Sequence, residues 1–128
     1  METRKSALGK VIALYREVKH NLKTARSLGY QRGMKLFRTG VWEVQKHNLT
    51  FLPEDLKTEI SALYEELYRI NDEIQASVEG KREHFLMSVN TDRVTGPLQS
   101  ITLKLDQWLA KNADNPQYAP KRPGFWWF

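Results

Sequence analysis

Apolar residues recur at three- and four-residue steps through most of this chain, and the places where the pattern changes phase divide it into segments. From about residue 6 to 28, Leu8, Val11, Ile12, Tyr15, Val18, Leu22 and Ala25 hold one side of a helical repeat, which predicts an amphipathic helix. It should stop near Gly29, because Gly29-Tyr30-Gln31-Arg32-Gly33 has turn composition and glycine accepts the left-handed conformation that ends helices. A shorter segment follows, with Leu36, Phe37, Val41, Trp42 and Val44 as its apolar set. Thr39 is placed as its N-cap and Glu43 favours its positive end, giving about two helical turns as far as His47.

Leu49, Phe51 and Leu52 then read as a buried connector, and Pro53 suits the first position of a long helix with Glu54 and Asp55 in the turn the helix dipole favours. Its core stripe is Leu56, Ile60, Leu63, Tyr64, Leu67, Tyr68, Ile70 and Ile74, and it should run to about Ser77 or Val78. Gly80 permits a break, beyond which Phe85, Leu86 and Val89 keep helical spacing as a separate helix or as a continuation. Pro97 is expected in the first turn of a last helix that buries Leu98, Ile101, Leu105, Trp108 and Leu109 and closes at Lys111 and Asn112. From Ala113 the composition turns to Asn, Pro, Gln and Lys, an extended arm rather than an element. No alternating run is long enough for a sheet. The prediction is an all-α antiparallel helical bundle of about four helices over residues 1–112, with a proline-containing arm over 113–128. Trp42, Tyr64, Tyr68 and Trp108 fall on apolar helical faces, where core packing is the expected role.

At 128 residues the chain has the length of one domain and can bury a core without covalent staples. It contains no cysteine, which removes disulfides, thiolate metal sites and cysteine nucleophiles and fits a reducing, cytoplasmic setting. Neither a signal-peptide pattern nor a run of about 18 apolar residues is present, so no span within the chain is expected to cross a membrane. The net charge of +5 is unevenly spread: residues 1–35 carry nine bases against two acids, residues 36–80 four bases against nine acids. On the first helix Arg16, Lys19, Lys23 and Arg26 share a spacing that makes one basic stripe. Two uses compete for it: pairing with the acidic third helix, or binding an anionic partner such as nucleic acid or an acidic membrane surface.

Catalytic chemistry finds little support. Glu17 and His20 stand three apart, half of a carboxylate-bridged metal motif, but no second Glu-x-x-His follows, and His47 and His84 lie in unrelated contexts. Both residues of the pair are expected at the surface, with no metal and no cofactor. The two glycines at positions 29 and 33 match no phosphate-binding loop, and no nucleophile motif occurs, so the chain is expected not to be an enzyme. The most distinctive feature is the sequence end, Lys121-Arg122-Pro123-Gly124 followed by Phe125, Trp126, Trp127 and Phe128. Aromatic residues of that size are expected to be covered: by the bundle itself, by a protein partner or second copy, or by a bilayer interface beside the two bases. A non-enzymatic interaction or assembly module using Phe125, Trp126, Trp127 and Phe128 as the contact is the leading expectation, with polyanion binding through Arg16, Lys19, Lys23 and Arg26 as the alternative.

Tyr15-Arg-Glu-Val-Lys-His-Asn-Leu22, Phe37-Arg-Thr-Gly-Val-Trp-Glu43 and the Leu-Pro-Glu opening at Leu52 together resemble a helical module found in uncharacterised bacterial and archaeal proteins. The resemblance spans about residues 10–75 and departs at Gly40, where the pattern prefers an acid. Many such modules resemble membrane-tethered cytoplasmic segments, which implies a membrane-proximal setting for a chain without a span of its own. It implies no activity and no catalytic residue.

Overall fold

Long apolar stripes need partners, and in the computed structural model, which describes residues 4–27, 36–79 and 92–113, they find them in one another. The helices among the described residues are α1 (Arg4–Ser27), α2 (Gly40–Gln45), α3 (Glu54–Glu79) and α4 (Asp92–Asn112), with no strand among these residues. The predicted turn at 29–33, the apolar positions Phe85, Leu86 and Val89, and the arm beyond Ala113 lie outside the described residues.

Hydrogen bonds and ion pairs fix the helix directions. Glu17 on α1 meets Tyr64 on α3, while Asn21, four residues later, is tied through residues 37 and 38 to Asn71, so α1 and α3 run parallel. Glu66 and Glu59 of α3 pair with Arg93 and Lys104 of α4 in reversed order, so α4 runs antiparallel to α3. Residues 36–53 therefore descend between α1 and α3, and each stroke is antiparallel to the one before it. The architecture is the predicted all-α antiparallel bundle, with its second stroke built from the single short helix α2 and irregular flanks. α4 packs along α1 and against α3, and α2 rests on α1.

The core joins Leu8, Val11, Val18 and Leu22 of α1, Ile60, Leu67, Ile70 and Ile74 of α3, and Val94, Leu98, Ile101 and Leu105 of α4. Fully burying one such side chain is worth about 1.5–3 kcal/mol, which is why three long stripes suffice to order the bundle. Trp42 of α2 stacks on Tyr64 at 5.1 Å between centroids and 14° between planes. Phe51 meets Trp108 at 5.6 Å and closes the end of the bundle where α3 begins. The aromatic residues assigned to the core pack there: Trp42 and Tyr64 are buried, Tyr68 and Trp108 partly buried.

The structure departs from the pattern in three places. Val44 is 74% exposed and Leu36 43% exposed, because the short descending segment offers too little surface to cover both of its sides. Leu14, off the predicted stripe, is fully buried. Pro97 lies inside α4, five residues after its first, rather than in its opening turn. The absent Pro97 N–H forfeits one bond, to the carbonyl of Arg93, and Gly96 before it has no Cβ to clash with the proline ring. In compensation, Val94 reaches the core and Arg93 pairs with Glu66.

Candidate functional site

α1 has two buried faces. The apolar one meets α4, and the second is polar: Glu17, Asn21 and Thr24 are buried, with Asn21 wholly inaccessible. Residues 36–42 cover it. The amide side chain of Asn21 accepts the N–H of Arg38 and donates to its carbonyl, both at 2.8 Å. From the opposite wall, Asn71 accepts the N–H of Phe37 at 2.8 Å and donates to its carbonyl at 3.0 Å. Each asparagine satisfies a main-chain donor and acceptor as a neighbouring strand would.

Glu17 completes the polar face. Its Oε2 accepts the N–H of Val41 at 2.8 Å, and its Oε1 accepts the N–H of Trp42 at 3.2 Å and the hydroxyl of Tyr64 at 2.8 Å. Glu17 is therefore not the surface residue expected from the sequence, but a cap for α2 supplied by another helix. Thr39, expected to cap α2, makes no side-chain cap bond and donates instead to Glu43 at 3.1 Å. The reason is charge: a carboxylate satisfies two orphan N–H groups and answers the positive helix end, where a hydroxyl offers one weaker acceptor. Burial, the charge of Glu17 and its hydrogen bond push the Tyr64 phenol far above its ordinary pKa. Tyr68 is raised as well, by burial and then by the charge of Glu43.

These bonds engage both carboxylate oxygens of Glu17. His20 is half-buried and His47 exposed, and among the described residues no three His, Cys, Asp or Glu side chains gather where a metal ion would bind. The constellation holds backbone in place.

The opposite side of α1 is different. Among its described side chains the exposed residues are Gly9, Arg16, Lys19, Lys23 and Arg26, so apart from one glycine the whole exposed strip is cationic. The four bases span about 15 Å of helix at 1.5 Å per residue. Lys19 Nζ lies 5.6 Å from the centroid of the Tyr15 ring, a cation–π distance. None of the four forms an ion pair with a described residue. Three acids of α3 are paired elsewhere: Glu59 with Lys104 at 2.5 Å, Glu66 with Arg93 and with Arg69, Glu54 with Lys57 at 2.6 Å. Of the two uses that competed for the stripe, pairing with the third helix is not made by any described side chain of that helix.

An open groove between α3 and α4, lined by Ala62, Leu63, Gly96, Pro97 and Ile101, is flanked by the Glu59 and Glu66 ion pairs, which leave its rim without an uncommitted charge. Phe125, Trp126, Trp127 and Phe128, the expected partner contact, lie outside the described residues. No described helix is long and apolar enough to cross a membrane. The chain matches no protein-family model, no curated protein and no solved structure.

The sequence pattern missed Asn21 and Asn71. A signal existed for the first: Glu17 and Asn21 are four apart, hence on one helical face, and that face also carries Leu14. Asn71 gives no such cue, because its partner is the backbone of a residue 34 positions away.

Proposed function

We propose that this chain is a non-enzymatic helical binding module that engages anionic surfaces through Arg16, Lys19, Lys23 and Arg26. The observation that carries the reading is the stripe itself: four exposed bases on one helix that form no ion pair with a described residue, while Glu59 and Glu66 of α3 pair with Lys104 and Arg93 of α4. Like charges three and four residues apart cost a helix about 0.2–0.5 kcal/mol per pair, so the stripe is a standing cost that an anionic partner removes. The buried Glu17–Tyr64 pair, committed to holding α2, supports a binding rather than a catalytic role.

Immobilised heparin serves as a generic polyanion. The protein should be retained at low salt and elute at higher salt than the variant R16Q/K19Q/K23Q/R26Q. Flow-through at low salt overturns the proposal.

A second reading rests on the sequence run Phe125, Trp126, Trp127 and Phe128, whose aromatic surface suits a contact with a protein partner or a second copy. Deleting residues 125–128 should then lower the mass seen by light scattering or abolish pull-down of a partner, with helical content intact. A collapsed melting temperature with unchanged association assigns those residues to the core instead.

A further inference from the structure

We infer that the partner of the α1 stripe is an anionic membrane surface, a commitment that rests on the polyanion reading above and narrows it. The geometry of the strip is the first reason. Its four cations stand on one face of one helix, an array suited to a planar field of head groups, where bases near the surface act additively. The second reason is what the strip lacks. A nucleic-acid interface adds to its phosphate contacts side chains that read base edges or stack on bases. Here, among the described side chains of α1, the exposed residues beside the four bases reduce to Gly9, and Tyr15 is half-buried with the Lys19 ammonium by its ring. Charge is offered without readout.

The third reason is independent of α1. Four bases give only reversible attachment, and peripheral binding becomes stable when a second signal joins the first. The same sequence carries Lys121 and Arg122 followed by Phe125, Trp126, Trp127 and Phe128, residue types that sit at head-group depth in a bilayer interface. Because α1 itself is packed into the bundle through Leu8, Val11, Val18 and Leu22, it contacts the surface by its charged side without inserting.

Flotation of the full chain with phosphatidylcholine vesicles, with and without phosphatidylserine, at low and physiological salt tests the assignment. The protein should float only with the acidic vesicles and be released by salt. Each base neutralised should weaken binding about fivefold, so R16Q/K19Q/K23Q/R26Q should bind several hundredfold more weakly than the parent. The variant R38Q/K46Q/K104Q/K111Q removes as much charge elsewhere and should bind at least tenfold more tightly than the stripe variant, with matching circular dichroism for both. Heparin retention without flotation overturns the membrane assignment and leaves the polyanion reading standing, as does tighter binding of RNA or duplex DNA than of acidic vesicles at equal salt. Absence of binding to heparin, nucleic acid and vesicles takes both down. Equal losses in the two variants reduce the effect to net charge and overturn the assignment to α1.

Discussion

Glu17 shows how much one buried carboxylate can organise. It is 6% exposed and accepts from two main-chain N–H groups and one phenol, so its removal strands three donors in the interior. Glu17→Ala should lower unfolding stability by about 3 kcal/mol or more in urea titration, since a stranded buried donor costs roughly 1–3 kcal/mol. A loss under about 1 kcal/mol would mean that water replaces the carboxylate with little penalty. Tyr64 makes the complementary prediction in pH. Its folded pKa is raised, so the unfolded chain releases the phenol proton first. Its contribution is full below a pH of about 10 and declines above it by roughly 1.4 kcal/mol per unit. Tyr64→Phe should flatten that alkaline decline by one proton in denaturant titrations between neutral and alkaline pH; an unchanged slope would detach Tyr64 from it.

Among the elements, the descending segment of residues 36–45 is distinctive because polar side chains, as much as apolar burial, secure it. Phe37 and Trp42 enter the core, while Asn21, Asn71 and Glu17 take up the main-chain groups of residues 37, 38, 41 and 42. A six-residue helix is far below the length at which isolated helices persist, so α2 exists because α1 caps it and Tyr64 stacks on Trp42. Asn71→Ala should cost about 2 kcal/mol and raise amide hydrogen exchange at residues 37 and 38 before it affects the middle of α3. Uniform acceleration through the bundle would show instead that the segment opens only with global unfolding. The same tertiary logic explains Pro97: burial of Val94 and the Arg93–Glu66 pair favour extending α4 ahead of a residue that by propensity alone belongs at its start.

At the scale of the whole molecule, charge is sorted between helices. Glu59 and Glu66 of α3 face bases of α4 across the groove, and Arg16, Lys19, Lys23 and Arg26 of α1 face outward. A stripe kept for binding should contribute nothing to folding. The R16Q/K19Q/K23Q/R26Q variant should therefore melt at or slightly above the parent temperature in low salt, a gain of up to about 1 kcal/mol from relieved like-charge pairs. A loss greater than about 1 kcal/mol would make the stripe structural, through packing of its aliphatic stems.

The fold class was legible in the chain because a 3.6-residue period is a local property: the stripes Leu8 to Ala25, Leu56 to Ile74 and Leu98 to Leu109 each describe a helix with one apolar side wherever it packs. The basic stripe was legible for the same reason, since Arg16, Lys19, Lys23 and Arg26 lie on one helix and their spacing alone aligns them. Whether those bases were spent could not be read, because pairing joins residues distant in sequence: Glu59 with Lys104, Glu66 with Arg93. The polar interior was hidden likewise. Glu17 and Asn21 look like surface residues until residues 36–42 descend over them, and a cap that crosses from one helix to another has no local signature. Periodicity settled that three long helices form and which broad side of each is apolar. Only tertiary structure decided which polar residues went inside and which charges pair across helices, because both depend on what each helix meets.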